Sequence, residues 1–231
     1  MLHPGGGHSG LIREAAAAGG HELVEWTPGA GEQLPGALGD FHALTVLGGG
    51  MNVADQERLP WLAGEIELLR DALERRVPIL GVCLGAQLLA AAAGAEVSRV
   101  EEPEIGWFEV ERLPTDDPVA SALPDRFLAY LWHSYACRLP AGAVELARSP
   151  VCSQAFALDG HAWGVQFHPE VTPDILEEWI ADYDSDPDAV RLGFDPAAAR
   201  ADVDRHLGRW TEIGHDLFAA WIAAAAVRAP A

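Results

Sequence analysis

The chain has 231 residues, 49% of them hydrophobic, with 35 acids against 15 bases and a formal net charge of −20. That is enough apolar chain for one large folded domain, and the excess of acid excludes a basic nucleic-acid footprint. No apolar run is long enough to span a bilayer, and Met1 to Gly7 has neither the basic flank nor the apolar run of a signal peptide; a soluble, cytoplasmic protein is expected.

In chain order, residues 1–10 are Gly-rich and read as a loop. Leu11 to Ala18 reads as a short helix stopped by Gly19-Gly20. Glu22 to Trp26 alternates like a strand, and Thr27 to Asp40 is a Pro/Gly loop. Phe41 to Leu47 is an apolar strand running into Gly48-Gly49-Gly50, where backbone can come close to a ligand. Trp61 to Arg76 is helical, with Leu62, Ile66, Leu69 and Leu73 on one face. Val77 to Val82 then reads as a buried strand and Ala86 to Ala93 as a buried helix. Beyond Gly94 the pattern turns antiparallel: strands at Trp107–Leu113, Arg126–Tyr135 and Val144–Arg148, then a hairpin through Asp159-Gly160. Thr172-Pro173-Asp174 starts a helix, and Asp195-Pro196 repeats the device. The last helix spans roughly Gly208 to Val227. Asp182 to Asp188, four acids and no base, reads as a solvated loop. No linker divides the chain, so residues 1–231 are expected to form a single domain with a helical extension from about residue 186.

The chemistry concentrates in Gly81-x-Cys83-x-Gly85, where the buried strand meets the buried helix. This is the nucleophile-elbow pattern with Cys for Ser. The glycines relieve crowding around so sharp a turn, and the thiol lies at a helix N-terminus, which favours a thiolate. A buried structural cysteine is the bland alternative. A cysteine nucleophile needs a base, and the base an orienting group. His168 ends a predicted strand, as Cys83 does, and Glu170 follows two residues on, past a stiff proline. The three cysteines Cys83, Cys137 and Cys152 show no metal or disulfide spacing, and no histidine pair has ligand spacing, so neither metal nor cofactor is implied.

Gly81-Val82-Cys83-Leu84-Gly85-Ala86-Gln87, together with Gly164-Val165-Gln166-Phe167-His168-Pro169-Glu170, resembles the class I (triad) glutamine amidotransferases. Gly48-Gly49-Gly50-Met51 and Glu104-Ile105-Gly106-Trp107 extend the likeness, which covers about residues 8 to 185. It is greatest to the stand-alone proteins similar to the amidotransferase domain of GMP synthase. The resemblance implies an α/β fold: a mainly parallel, flavodoxin-like sheet with helices on both faces and added antiparallel strands. It implies that Cys83 attacks a γ-carboxamide carbon, His168 moves the proton and Glu170 orients His168. It puts the oxyanion-hole amides on Gly50 and Leu84, and substrate contacts at Gly49, Gln87 and His133. Glutamine or a γ-glutamyl compound is the implied substrate, with ammonia passing to an acceptor or to a separate synthase subunit. A stand-alone γ-glutamyl peptide hydrolase and a non-catalytic regulatory or binding protein are the alternatives. Two departures stand out. Trp132-His133-Ser134-Tyr135 lacks the acid the family often carries in its Trp-His-Gly-Asp, and the apolar first strand expected before the first loop is missing. Trp107 and Trp132 are expected near the edge that Tyr135 occupies.

Overall fold

The computed structural model describes residues 1–4, 7–32, 38–39 and 41–228. The first half alternates helix and strand: α1 (Gly10–Ala18), β1 (Leu44–Val46), α2 (Pro60–Glu74), β2 (Ile79–Val82) and α3 (Leu84–Ala92). Five strands follow: β3 (Val97–Arg112), β4 (Arg126–Cys137), β5 (Val144–Arg148), β6 (Ser153–Leu158) and β7 (Ala162–Val165). The chain ends in α4 (Pro173–Ala181), α5 (Pro187–Leu192) and α6 (Pro196–Arg228).

The strands form one mixed sheet in the order β1-β2-β7-β6-β5-β3-β4. β1, β2 and β7 are parallel neighbours; the remaining pairings are antiparallel. This is the expected α/β architecture, with its parallel part at the end of the sheet that carries the glycine loop and the elbow. Successive strand residues face opposite ways, and the two cores show it. Leu80, Val82, Trp163 and Val165 pack with α1, α4 and α6. Val46, Ile79, Phe156 and Ala162 pack with α2 and α3. No helix among the described residues is long and apolar enough to cross a membrane.

Four expectations are changed. Glu22 to Trp26 forms no strand; one backbone bond, from Leu2 N to Trp26 O, ties it down, and Val24 is 54% exposed, so no packed face holds an alternating ladder there. No strand is assigned ahead of β1 among the described residues, yet the slot beside β1 is not open. Met1 N donates to Thr45 O and Leu47 N to Met1 O, a parallel ladder step opposite Val46. β3 begins ten residues before Trp107; it pairs with β4 from Val97 onward, with a register shift between Arg99 and Glu104. Finally, the helix start at Asp195-Pro196 and the last helix are one element. Asp195 caps it through Ala197 N, and the Ala-rich first turns favour helix, so α6 runs unbroken across Gly208.

Candidate active site

Cys83 lies between β2 and α3 with φ +51° and ψ −108°, a backbone state that a non-glycine residue holds only when its surroundings impose it. The surroundings are close. A β-carbon on Gly81 would lie 2.5 Å from Gly85 O, and one on Gly85 would lie 1.9 Å from Val46 O. The two glycines therefore let the elbow fold on itself and let α3 press on β1. Gly85→Ala is expected to lower stability by about 1–3 kcal/mol, the usual cost of overpacking, read as a lower denaturant midpoint. An unchanged midpoint would mean that β1 can yield.

The parallel ladder brings the second half of the site to the elbow. Val82 is in register with Val165; Cys83 is the next residue on one strand, and His168 lies three further on the other. Cys83 N donates to Val165 O, and His168 N to Tyr130 O. The loop beyond β7 is held from two sides, by Trp210 Nε1 on His168 O at 2.9 Å and by Leu11 N on Glu170 O at 3.0 Å. Trp210 itself is locked between the Phe127 ring, stacked at 6.0 Å, and the edge of Phe167.

His168 Nδ1 is 2.7 Å from Glu170 Oε1, and both side chains are buried. That bond leaves Nε2 as the ring nitrogen for the Cys83 sulfur, whose charge acts on the imidazole. Burial by itself works against the imidazolium. The Glu170 carboxylate and the Cys83 sulfur outweigh burial and raise His168 to about 10. Trp179 meets the imidazole edge-on at 4.8 Å. The Cys83 thiol also lies 3.8 Å from Trp132 O.

Cys83 and His168 open into a cavity of about 760 Å³ that Gly49, Gly50, Leu84, Gln87 and His133 also line. All the residues expected at the site are therefore brought together. Leu84 starts α3, so its N–H is among the first-turn amides without an intrahelical acceptor. Gln87 is buried, not solvent-facing, with its Nε2 on Tyr135 O at 2.8 Å and Gln166 Oε1 at 3.2 Å. The nitrogens of His133 face Tyr135 O and Glu104 Oε2, which makes the ring a fixed wall of the cavity. Trp132 lines the cavity as expected, but Trp107 turns away and packs on Tyr130, His206 and Trp210.

Three groups escaped the sequence reading. The glycine loop is braced from behind by His3, whose Nδ1 meets Gly48 O and whose Nε2 meets Glu65 Oε2, each at 3.0 Å and fully buried. No local pattern joins residues 3, 48 and 65. Glu104, His133 and Cys152 bring ligand atoms within 4.8 Å of one another, from segments far apart in sequence. Glu104 Oε2 is there surrounded by His133 Nε2, Gln154 Nε2 and the Cys152 thiol. That is the arrangement of a buried carboxylate oxygen satisfied by hydrogen bonds. Burial, with Glu104 beside it, pushes the Cys152 thiol up.

The third group overturns the solvated loop at Asp182–Asp188. Tyr183–Ser185 is a 3-10 turn, and Asp186 caps α5 through Asp188 N at 2.8 Å. Trp132 Nε1 donates to Asp186 Oδ2 at 2.8 Å. Asp188 is buried; it accepts from Ser134 Oγ at 2.6 Å, and Arg99 and Arg191 also bond it. Asp186 and Asp188 hold this segment against the cavity because Trp132, Ser134 and Arg99 on other elements satisfy them, while Asp182 and Asp184 stay exposed. Burial would raise the Asp188 carboxyl, but Ser134 and the arginines hold it below its ordinary value.

Comparison with known proteins shows the family. The family model for class-I glutamine amidotransferases matches residues 10–182. Among curated relatives, the glutamine-hydrolyzing GMP synthase of Aeropyrum pernix is 36% identical over 158 residues, 65% of this chain and 28% of its own length. A gamma-glutamyl-L-1-hydroxyisopropylamide hydrolase from a Pseudomonas species is 33% identical over 156 residues, 63% of this chain and 52% of its own length. The chain thus spans only part of these relatives. A crystal structure of a glutamine amidotransferase from Thermotoga maritima superposes with a TM-score of 0.83 at 28% identity, covering 93% of this chain and 92% of that one.

Proposed function

The chain belongs to the class I glutamine amidotransferase family, and from that premise we propose that it hydrolyses the side-chain amide of glutamine through Cys83, His168 and Glu170. The observation that carries the reading is the buried Glu170–His168 pair set beside an elbow cysteine at the mouth of one cavity. His168 already holds the proton that the Cys83 thiol gives up, so the sulfur attacks the amide carbon as a thiolate, and Glu170 holds the imidazolium in place. The oxyanion is met by the N–H groups of Leu84 and Gly50. His168 returns the proton to nitrogen, the C–N bond breaks, and ammonia leaves a γ-glutamyl thioester. Water, relieved of a proton by His168, then releases glutamate and restores the thiol. Ammonia passes to an acceptor or to a separate synthase subunit. The same reading takes residues 1–231 as one amidotransferase domain with its own C-terminal helices.

A second reading has an observation of its own. The cavity is of a size that holds a drug-like ligand and is larger than glutamine fills, which favours γ-glutamyl amides with bulkier leaving groups. A non-catalytic binding role would leave the buried His168–Glu170 pair without a task. The discriminating measurement is kcat/KM of the isolated chain for glutamine and for a γ-glutamyl dipeptide, since that ratio reports relative transition-state binding. Glutamine is expected to be preferred. A dipeptide preference of about 100-fold or more, close to 3 kcal/mol, reverses the order of the two readings.

A further inference from the structure

Every substrate of the proposed reaction carries an α-carboxylate, and the cavity is a poor place for one. Glu178, Asp182, Asp186 and Asp188 all line it. The chain has no lysine, and Arg99 is the one arginine among the described lining residues. Its guanidinium is not loose. Nη2 bonds both oxygens of Asp188, and the guanidinium lies 5.8 Å from the centre of the ring of Tyr135, its partner across the β3–β4 ladder. Asp188 is itself fixed by Ser134 and Arg191. A guanidinium has five N–H donors, more than Asp188 takes up, and the Arg99 side chain is 48% exposed. An arginine with its plane set and donors to spare is the group that reads a carboxylate well.

We propose that Arg99 binds the α-carboxylate of the glutamyl substrate and that Asp188 positions it. The inference rests on the amide-hydrolysis reading. It also says what the departure at Tyr135 does: the residue that replaces the family's acid supports the arginine. Asp188 comes from α5, beyond the span that the family model matches.

The test compares two alkylating agents on the full chain, with peptide mass mapping. Iodoacetamide is small and uncharged. 6-Diazo-5-oxo-L-norleucine is glutamine-shaped and carries the α-carboxylate; the thiol proton goes to its diazo carbon, nitrogen gas leaves and a carbon–sulfur bond forms. Arg99→Gln is expected to slow labelling of Cys83 by the glutamine-shaped reagent by roughly 10- to 100-fold, the scale of a charged hydrogen bond. Iodoacetamide labelling should stay within about twofold of the unsubstituted chain. Asp188→Asn should slow the glutamine-shaped reagent in the same direction but less, and Arg99→Lys should recover part of the loss. Equal labelling by the glutamine-shaped reagent in the Arg99→Gln chain overturns the proposal, as does an equal fall with both reagents. If the unsubstituted chain takes iodoacetamide on Cys83 but never the glutamine-shaped reagent, the amide-hydrolysis reading itself fails and takes the proposal with it.

Discussion

Cys83→Ala is expected to drop amide hydrolysis below detection while the chain stays folded. The substitution keeps the β-carbon, so the strain at φ +51° is the same for alanine as for cysteine. It removes one sulfur and a long contact to Trp132 O at 3.8 Å, for a stability change of about 1 kcal/mol. The rate effect is of another order. Loss of the nucleophile from a triad costs on the order of 10⁴–10⁶-fold, and the oxyanion hole alone leaves only a trace. Cys137→Ala and Cys152→Ala should keep most activity. Neither thiol follows a strand-to-helix turn, and burial pushes Cys137 up to about 11, away from a thiolate at neutral pH. Ammonia release and a thermal melt on each variant decide the matter. Activity of Cys83→Ala above a trace would remove Cys83 from its role.

The second large effect concerns the base and its partner. His168→Ala should cost about 10²–10⁴-fold in rate, and Glu170→Gln less, because a displaced imidazole still accepts a proton. The pH profile makes the distinction sharper. His168 is raised from an ordinary value near 6.5 to about 10, against burial, by Glu170 and Cys83. With a raised pKa the imidazolium stabilises the folded chain fully below about 6.5, and that contribution is lost as pH climbs through about 10. Delivery of a proton to the departing nitrogen fails on the same limb. Glu170→Gln removes the largest raising influence, so the alkaline limb of kcat/KM should move toward neutral pH. A limb that stays in place, or a Glu170 variant more damaged than His168→Ala, would mean that Glu170 does something other than orient the ring.

What the sequence made legible here was local. Gly81, Cys83 and Gly85 fall within five residues, and each carries its steric reason with it. His168-Pro169-Glu170 is as compact. The helices α1, α2 and α4 and the hairpin at Asp159-Gly160 follow from apolar spacing and turn residues in the same way. Groups that depend on pairing across the chain were hidden. Asp186 and Asp188 look solvated until Trp132, Ser134 and Arg99 arrive from other strands to satisfy their carboxylates. The first half of β3 was masked by Glu101 and Glu102, whose run of charge breaks the alternation although both simply face solvent. His3 and Glu65 look like ordinary polar residues, and only the folded chain shows that they back the glycine loop.

The register of Val82 with Val165 has a consequence for how the chain tolerates change in length. Cys83 and His168 hang from neighbouring parallel strands at fixed offsets from one ladder rung, so the backbone bonds act as the ruler for the thiol–imidazole separation. One residue inserted or deleted between Val165 and His168, just past the end of β7, moves the imidazole by about one residue's length, roughly 3.3 Å. No side-chain substitution can restore the pairing after that. The hairpin at Asp159-Gly160 joins β6 to the far end of β7, away from His168, and can change length without disturbing that rung. Insertions should therefore accumulate at the hairpin and be absent from the three residues beyond Val165.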